Sequence, residues 1–340
     1  MAVLISSQNH LPGIEGPALI RRAKSRRPLF SVWLAQLSAL SLLLALSGCS
    51  IKRLAMNEVG NALAGSGTSF ASDDDPELVA EAIPFTLKLV ESILEEVPDH
   101  KRLRTAAAAY FTQYAFGFIQ LEADYVEVDD FERAEAMRER ARKLFLRARN
   151  HGLYRIELDH PNFSKSLADD PQSAVSGLEK ELIETIYWTA AAWGSAITLG
   201  KTDPFLVSEI PQMEALIDHA LALDPNWNHG AIHGFLTTYE MSRQVDRDDP
   251  IAASRAHFEQ AIEASESSAL APYVALAEAV CIQTQDVEEF QSLLETALEI
   301  DIDAAPAKRL ENLLMKKRAE WLLEQKDELF LPDDLFQLEE

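Results

Sequence analysis

The 340-residue sequence predicts an all-α fold, an array of antiparallel helix pairs. From Pro76 onward apolar residues recur with a period of about 3.6, the signature of helices with one buried face. Alternating runs of β-branched residues, which strands would show, are absent. The periodicity places helices over about residues 76–96, 100–121, 129–150, 178–199, 208–222, 226–242, 249–264, 271–283, 286–299 and 304–325.

Ahead of this body the chain reads differently. Arg21, Arg22, Lys24, Arg26 and Arg27 form a basic cluster, followed by a mostly apolar stretch from Leu29 to Leu46. Basic, then apolar, then small residues is the layout of an export signal. A run of this length approaches the roughly 20 residues that span a bilayer, so an uncleaved anchor is the competing reading. Leu46-Ser47-Gly48-Cys49 resembles the bacterial lipoprotein signal, which implies cleavage before Cys49 and acylation of its thiol. Residues 1–48 are therefore expected to be a signal peptide, and Cys49 the lipid attachment site. Ser50, where an aspartate would retain a lipoprotein at the inner membrane, favours the outer membrane. "SRRPLF", Ser25 to Phe30, partly matches the twin-arginine pattern, so the export route stays open. Residues 49–75 read as a lipidated flexible tether because Asn57 to Asp75 is rich in Gly, Ser and Asp, with a short helix near its start. Residues 76–330 form the expected helical domain and 331–340 a C-terminal tail.

Charge narrows the function. The formal net charge is −24, and removing residues 1–48 takes away five basic side chains and one acid, leaving −28. Such a chain is repelled by nucleic acid and anionic lipid, so no nucleic-acid partner is expected and the membrane is reached through the lipid anchor. With Cys49 acylated, Cys281 is the single free thiol, and "LAEAVCIQT" places it on an apolar helix as a core residue.

The helices look repeated. In "HALALDPNWNHGAIHGF" one helix ends in Ala-Leu-x-Leu-Asp-Pro-Asn before the next begins, resembling the junction between tetratricopeptide repeats. "HFEQAIEAS", "LLETALEIDIDAAP" and the stretch around Pro98 offer degenerate counterparts at irregular spacing. The expected architecture is a divergent tetratricopeptide-like α-solenoid with a concave or enclosed face.

No catalytic constellation emerges. "GSAITLGKT" misses the phosphate-loop spacing, since its glycine is Gly194 where residue 195 is required. His229 and His233 are four apart on one predicted helix, a zinc-compatible spacing, but His-Gly-Ala-Ile-His lacks the glutamate that would act as a base. No metal or cofactor is expected.

In "ELIETIYWTAAAWGSAITLG" the stripe Leu182, Ile186, Trp193 and Ile197 is the expected core face. Trp188 falls with Glu184, Thr185, Ala192 and Ser195, where a large aromatic could pack on a neighbouring repeat, cover an oligomer interface or line a cavity. Asn226, His229, His233, Thr237 and Glu240 form a second polar stripe, either solvated or lining.

Taken in order, "DDDPELVAEAIPFTLKLVESIL", "RARKLFLRARNHGLYRI", the Tyr-Trp-x-Ala-Ala-Ala-Trp-Gly block, the Asn-His-Gly-Ala-x-His block and "RAEWLLEQKDELF" resemble the T-component of tripartite ATP-independent periplasmic (TRAP) transporters. This resemblance implies a non-enzymatic, periplasm-facing lipoprotein that forms a homotrimer and docks the transporter's periplasmic solute-binding protein. It also implies a pore-like cavity for a small hydrophobic or carboxylate ligand. The candidate lining residues are Tyr187, Trp188, Trp193, His229 and His233. The competing reading is an envelope-assembly scaffold that binds proteins or peptides through its grooves.

Overall fold

A computed structural model describes residues 51–243 and 249–332. The export signal, Cys49, Ser50 and residues 333–340 of the expected tail lie outside the described residues. Residues from Lys52 onward form one compact unit, described here.

Aspartates start many of its helices. Asp75, Asp130, Asp170, Asp203, Asp249 and Asp286 each accept a hydrogen bond from a backbone N–H in the first turn that follows. Each such cap satisfies an otherwise orphaned donor and contributes about 1 kcal/mol. Proline follows at Pro76, Pro171, Pro204 and Pro250, where its missing N–H is harmless and its fixed φ suits the helix. Part of the chain's large negative charge thus has a local structural use.

The stretch expected to be a flexible tether is folded. Residues 51–64 are helical (α1), and α2 spans Gly67–Ala71. Met56, Leu63, Ala64 and Phe70 pack against the main core. The Tyr110 hydroxyl donates to the Leu63 carbonyl at 3.0 Å, and His100 Nε2 lies 3.1 Å from the Asn57 carbonyl. Glycine, serine and aspartate are frequent in this stretch, but its apolar residues Met56, Leu63, Ala64 and Phe70 hold it on the core.

The body runs α3 (Pro76–Glu96), α4 (Lys101–Ala115), a π-helical turn (Phe116–Gln120) and α5 (Leu121–Val126). Then come α6 (Phe131–Glu157), the short α7 (Phe163–Asp169) and α8 (Pro171–Val175), and α9 (Ile183–Leu199). After them stand α10 (Pro204–Val207), α11 (Ile210–Leu223), α12 (Trp227–Tyr239) and α13 (Pro250–Ala264). Next, α14 (Ala271–Leu276) passes through a second π turn (Ala277–Cys281) into α15 (Ile282–Thr284). The last are α16 (Val287–Leu298), α17 (Arg309–Glu324) and α18 (Lys326–Leu329). Among the described residues there is no strand, so the fold is all-α.

Successive long helices pack together: α4 on α6, α6 on α9, α9 on α11, α12 on α13, α14 on α16 and α16 on α17. Small side chains permit the closest of these approaches. Ala106–Ala109 on α4, Ala141 and Ala148 on α6 and Ala190–Ala192 on α9 are buried. Gly152 of α6 leaves the space that the Thr189 side chain of α9 fills. Around them Phe111, Phe145 and Ile186 are fully buried, each contributing roughly 1.5–3 kcal/mol of apolar transfer. A second core gathers Leu270, Val274, Cys281, Phe290, Leu294 and Leu322, and Leu314 of α17 touches both. Cys281 is a packed core residue; its thiol donates to Glu289 Oε2 at 3.5 Å, and burial pushes its pKa up to about 12. The chain finally returns on itself, because α17 packs on α2 and α3 and Arg309 Nη1 donates to the Ser72 carbonyl at 3.2 Å.

Candidate functional site

Helix α9 carries three of the aromatic candidates, and helical geometry divides them. Tyr187 and Trp188 touch edge to face, with ring centroids 5.0 Å apart and planes at 71°. Trp193 lies elsewhere. Its Nε1–H donates to Glu209 Oε2 at 2.8 Å, and the Arg149 guanidinium sits 4.9 Å from its ring centroid while donating to the same carboxylate at 2.7 Å. Trp193 is thus anchored in a half-buried bonded group with Arg149 and Glu209, apart from the Tyr187 cluster.

Trp227, at the start of α12, completes that cluster with its ring centroid 4.8 Å from that of Tyr187. The charge of Glu311 on α17 acts on Tyr187. Glu311 is exposed, and the protein around it pushes its carboxyl pKa up, against the pull of the Lys308 ammonium. Burial, helped by the Glu311 charge, raises the Tyr187 phenol well above its ordinary range. Lys308 is itself lowered by burial, and its Nζ donates to Ser268 Oγ at 3.5 Å. Tyr187, Trp188 and Trp227 therefore form an aromatic cluster, and the Glu311 carboxylate, itself acted on by Lys308, exerts its charge on that cluster.

The histidine pair does not survive folding as the sequence places it. Asn228, His229 and Gly230 have φ values of 47°, 57° and 82°, so the chain makes a left-handed turn inside the expected helix. His229 and His233 are consequently not successive turns of one helical face. His229 is exposed, whereas His233 is buried with its Nδ1 2.8 Å from Nδ1 of His257. Among the described residues no three His, Cys, Asp or Glu side chains are grouped to hold a metal ion. Backbone approach explains Gly230, since a Cβ there would meet the Ala264 Cβ at 2.9 Å and the Ala261 Cα at 3.2 Å.

Of the rest of the polar stripe, Asn226 is exposed and only the C-terminal part turns inward. Thr237 and Glu240 are fully buried; the Thr237 carbonyl accepts from Ser254 Oγ at 2.5 Å, and Arg243 Nη1 lies 3.3 Å from Glu240 Oε1. His233, Thr237 and Glu240 thus form a polar seam facing α13. Of the five candidates, then, Tyr187 and Trp188 meet in the aromatic cluster, while Trp193, His229 and His233 stand apart from it. Trp227, Lys308 and Glu311 were missed. An aromatic directly after Asp-Pro-Asn is a weak signal for Trp227, and no motif marks the other two.

A family model described as TRAP transporter T-component matches residues 72–330. An uncharacterized protein of Treponema pallidum (strain Nichols) is 27% identical over 303 residues, covering 84% of this chain and 94% of the relative.

Proposed function

Because the chain belongs to the TRAP transporter T-component family, we propose that it docks the periplasmic solute-binding protein of such a transporter and passes a small hydrophobic or carboxylate ligand through a recess walled by the Tyr187 cluster. The family role makes it an envelope-associated transporter component. Among the described residues no helix is long and apolar enough to cross a membrane; in this reading the anchor is the acyl group on Cys49, with the body facing the periplasm from the outer membrane.

The observation that supports the ligand role is the aromatic cluster of Tyr187, Trp188 and Trp227, with the Glu311 charge acting on Tyr187. Aromatic faces accept an apolar ligand body, and Lys308 offers one cation to an acidic head. Docking and trimer formation need outward apolar contacts as well. Leu78 and Phe85, seven residues apart on α3, are 56% and 72% exposed and supply such a stripe. No catalytic step enters this reading.

The test is affinity purification from detergent-solubilised envelope, followed by native mass measurement. Co-purification of a TRAP-type solute-binding protein, with three copies of this chain, is the expected result. Recovery of cell-wall or assembly factors without any solute-binding protein would sink the reading in favour of a scaffold.

A further inference from the structure

A cavity lined by none of the Tyr187-cluster residues opens between the first turns of α4, the end of α6 and the start of α9. Its volume is about 200 Å³, room for a molecule of roughly six to eight non-hydrogen atoms at about 30 Å³ per water-sized unit. Ala64 and Ala106 leave it space. Thr105 and Thr185, whose hydroxyl oxygens lie 2.7 Å apart, line it with a buried hydroxyl pair.

Charge is what makes the cavity specific. Lys101, Arg102 and Arg155 line it from α4 and α6, while Glu181 and Glu184 line it from the α9 side. Lys101 and Arg155 are already engaged, because both pair with Asp159, the latter at 2.7 Å. Arg102, Glu181 and Glu184 make no ion pair among the described residues. The Arg102 charge still acts on Glu184, although no nitrogen of one comes within 4.0 Å of an oxygen of the other. Opposite charges thus face each other across a gap that neither side chain closes.

A lone anion in this gap would meet two carboxylates, within a chain whose net charge of −24 already repels it. A lone cation would meet Arg102 and the neighbouring Lys101 and Arg155. A molecule carrying both charges satisfies both walls at once. We propose that this cavity binds a small zwitterion, its oxyanion on Arg102, its ammonium on Glu184 and Glu181, and its polar middle on the Thr105–Thr185 hydroxyl pair. Free amino acids and the ethanolamine phosphate of a lipid headgroup share this chemistry.

Calorimetric titration of the full chain in detergent tests the proposal with four soluble probes: γ-aminobutyrate, O-phosphoethanolamine, butyrate and butylamine. At least one zwitterion is expected to bind in the millimolar range or tighter, with the singly charged probes about tenfold weaker or more. Arg102→Ala and Glu184→Gln are each expected to weaken the zwitterion by about tenfold. Both positions are exposed, so an unchanged melting temperature separates lost binding from lost folding. Dihexanoyl phosphatidylethanolamine then identifies the source: Arg102-dependent binding assigns the headgroup, and its absence with γ-aminobutyrate still bound assigns a free amino acid. No zwitterion binding, equal binding of butyrate or butylamine, or affinity indifferent to both substitutions would overturn the proposal. The test does not depend on the chain's role in transport, so its failure leaves that reading intact.

Discussion

Trp188 and Trp193 stand five residues apart on α9, and truncating each separates a packing residue from a site residue. Trp193 is 5% exposed, and its N–H donates to Glu209 at 2.8 Å. Trp193→Ala is expected to cost about 4 kcal/mol, the middle of the range for a buried aromatic. Trp193→Phe keeps most of the burial and loses one charge-assisted hydrogen bond. Since Arg149 still satisfies Glu209, the cost is about 1.5 kcal/mol. Trp188 is half-buried, so Trp188→Ala should cost about 2 kcal/mol. At roughly 2–4 °C per kcal/mol for a chain of this size, the three melting temperatures fall by about 12, 5 and 6 °C. Affinity for the solute-binding protein or its ligand should fall only in Trp188→Ala. Scanning calorimetry and a binding titration on the three variants provide the check. If Trp188→Ala melts as low as Trp193→Ala and binds normally, Trp188 is a packing residue and the recess loses a wall.

Three further outcomes follow from other sites. His151 is held neutral, with Arg104 Nη1 donating to its Nδ1 at 3.0 Å, and burial lowers its pKa from 6.5 to about 4. Between these values the unfolded state binds the extra proton, so stability should fall by about 3 kcal/mol as pH drops from 6.5 to 4; denaturant titrations of wild type and His151→Gln should differ in slope across that window. Gly230→Ala places a side chain at φ 82° against Ala264; the left-handed conformation and the contact together should cost about 3 kcal/mol, read as a shift of the urea midpoint. Because the folded protein raises the Glu311 pKa above 4.5, its ionisation opposes folding, so Glu311→Gln should raise the melting temperature at pH 7 and change it little below pH 4.5.

The sequence was most legible where one face of a helix meets one core. The expected 76–96, 249–264 and 286–299 segments correspond to α3, α13 and α16, each opened by a capping aspartate. Legibility failed in two kinds of place. The short α7, α8 and α10 have too few turns for a period to show. Across residues 228–230 apolar spacing resembles helix, while the backbone adopts a left-handed turn set by the close approach of α13. Half of the recess was legible for the same reason. Tyr187 and Trp188 are conspicuous within one helix, but their partners Trp227 and Glu311 arrive from α12 and α17 through tertiary packing.

That origin bears on how the recess is held. In an open array of helix pairs each unit touches only its neighbours, and no C-terminal helix would face α9. Here α17 is tied back to the N-terminal half by Arg309 to the Ser72 carbonyl, by Lys317 to Glu122, and by Arg318 to Asp124 at 3.1 Å. Both π turns lie against this helix: Gly117 sits under Leu314, and Glu278 receives Arg318 Nη2 at 2.6 Å. A π turn inserts one residue into a helix and re-aims the side chains around it. These two turns thereby bring Gly117 into close contact and Glu278 into ion-pair range along successive turns of α17. The same helix carries Glu311, whose charge acts on Tyr187. That charge is therefore positioned by how the chain closes on itself, and the ion pairs that hold α17 bear on the proposed recess as much as its aromatic side chains do.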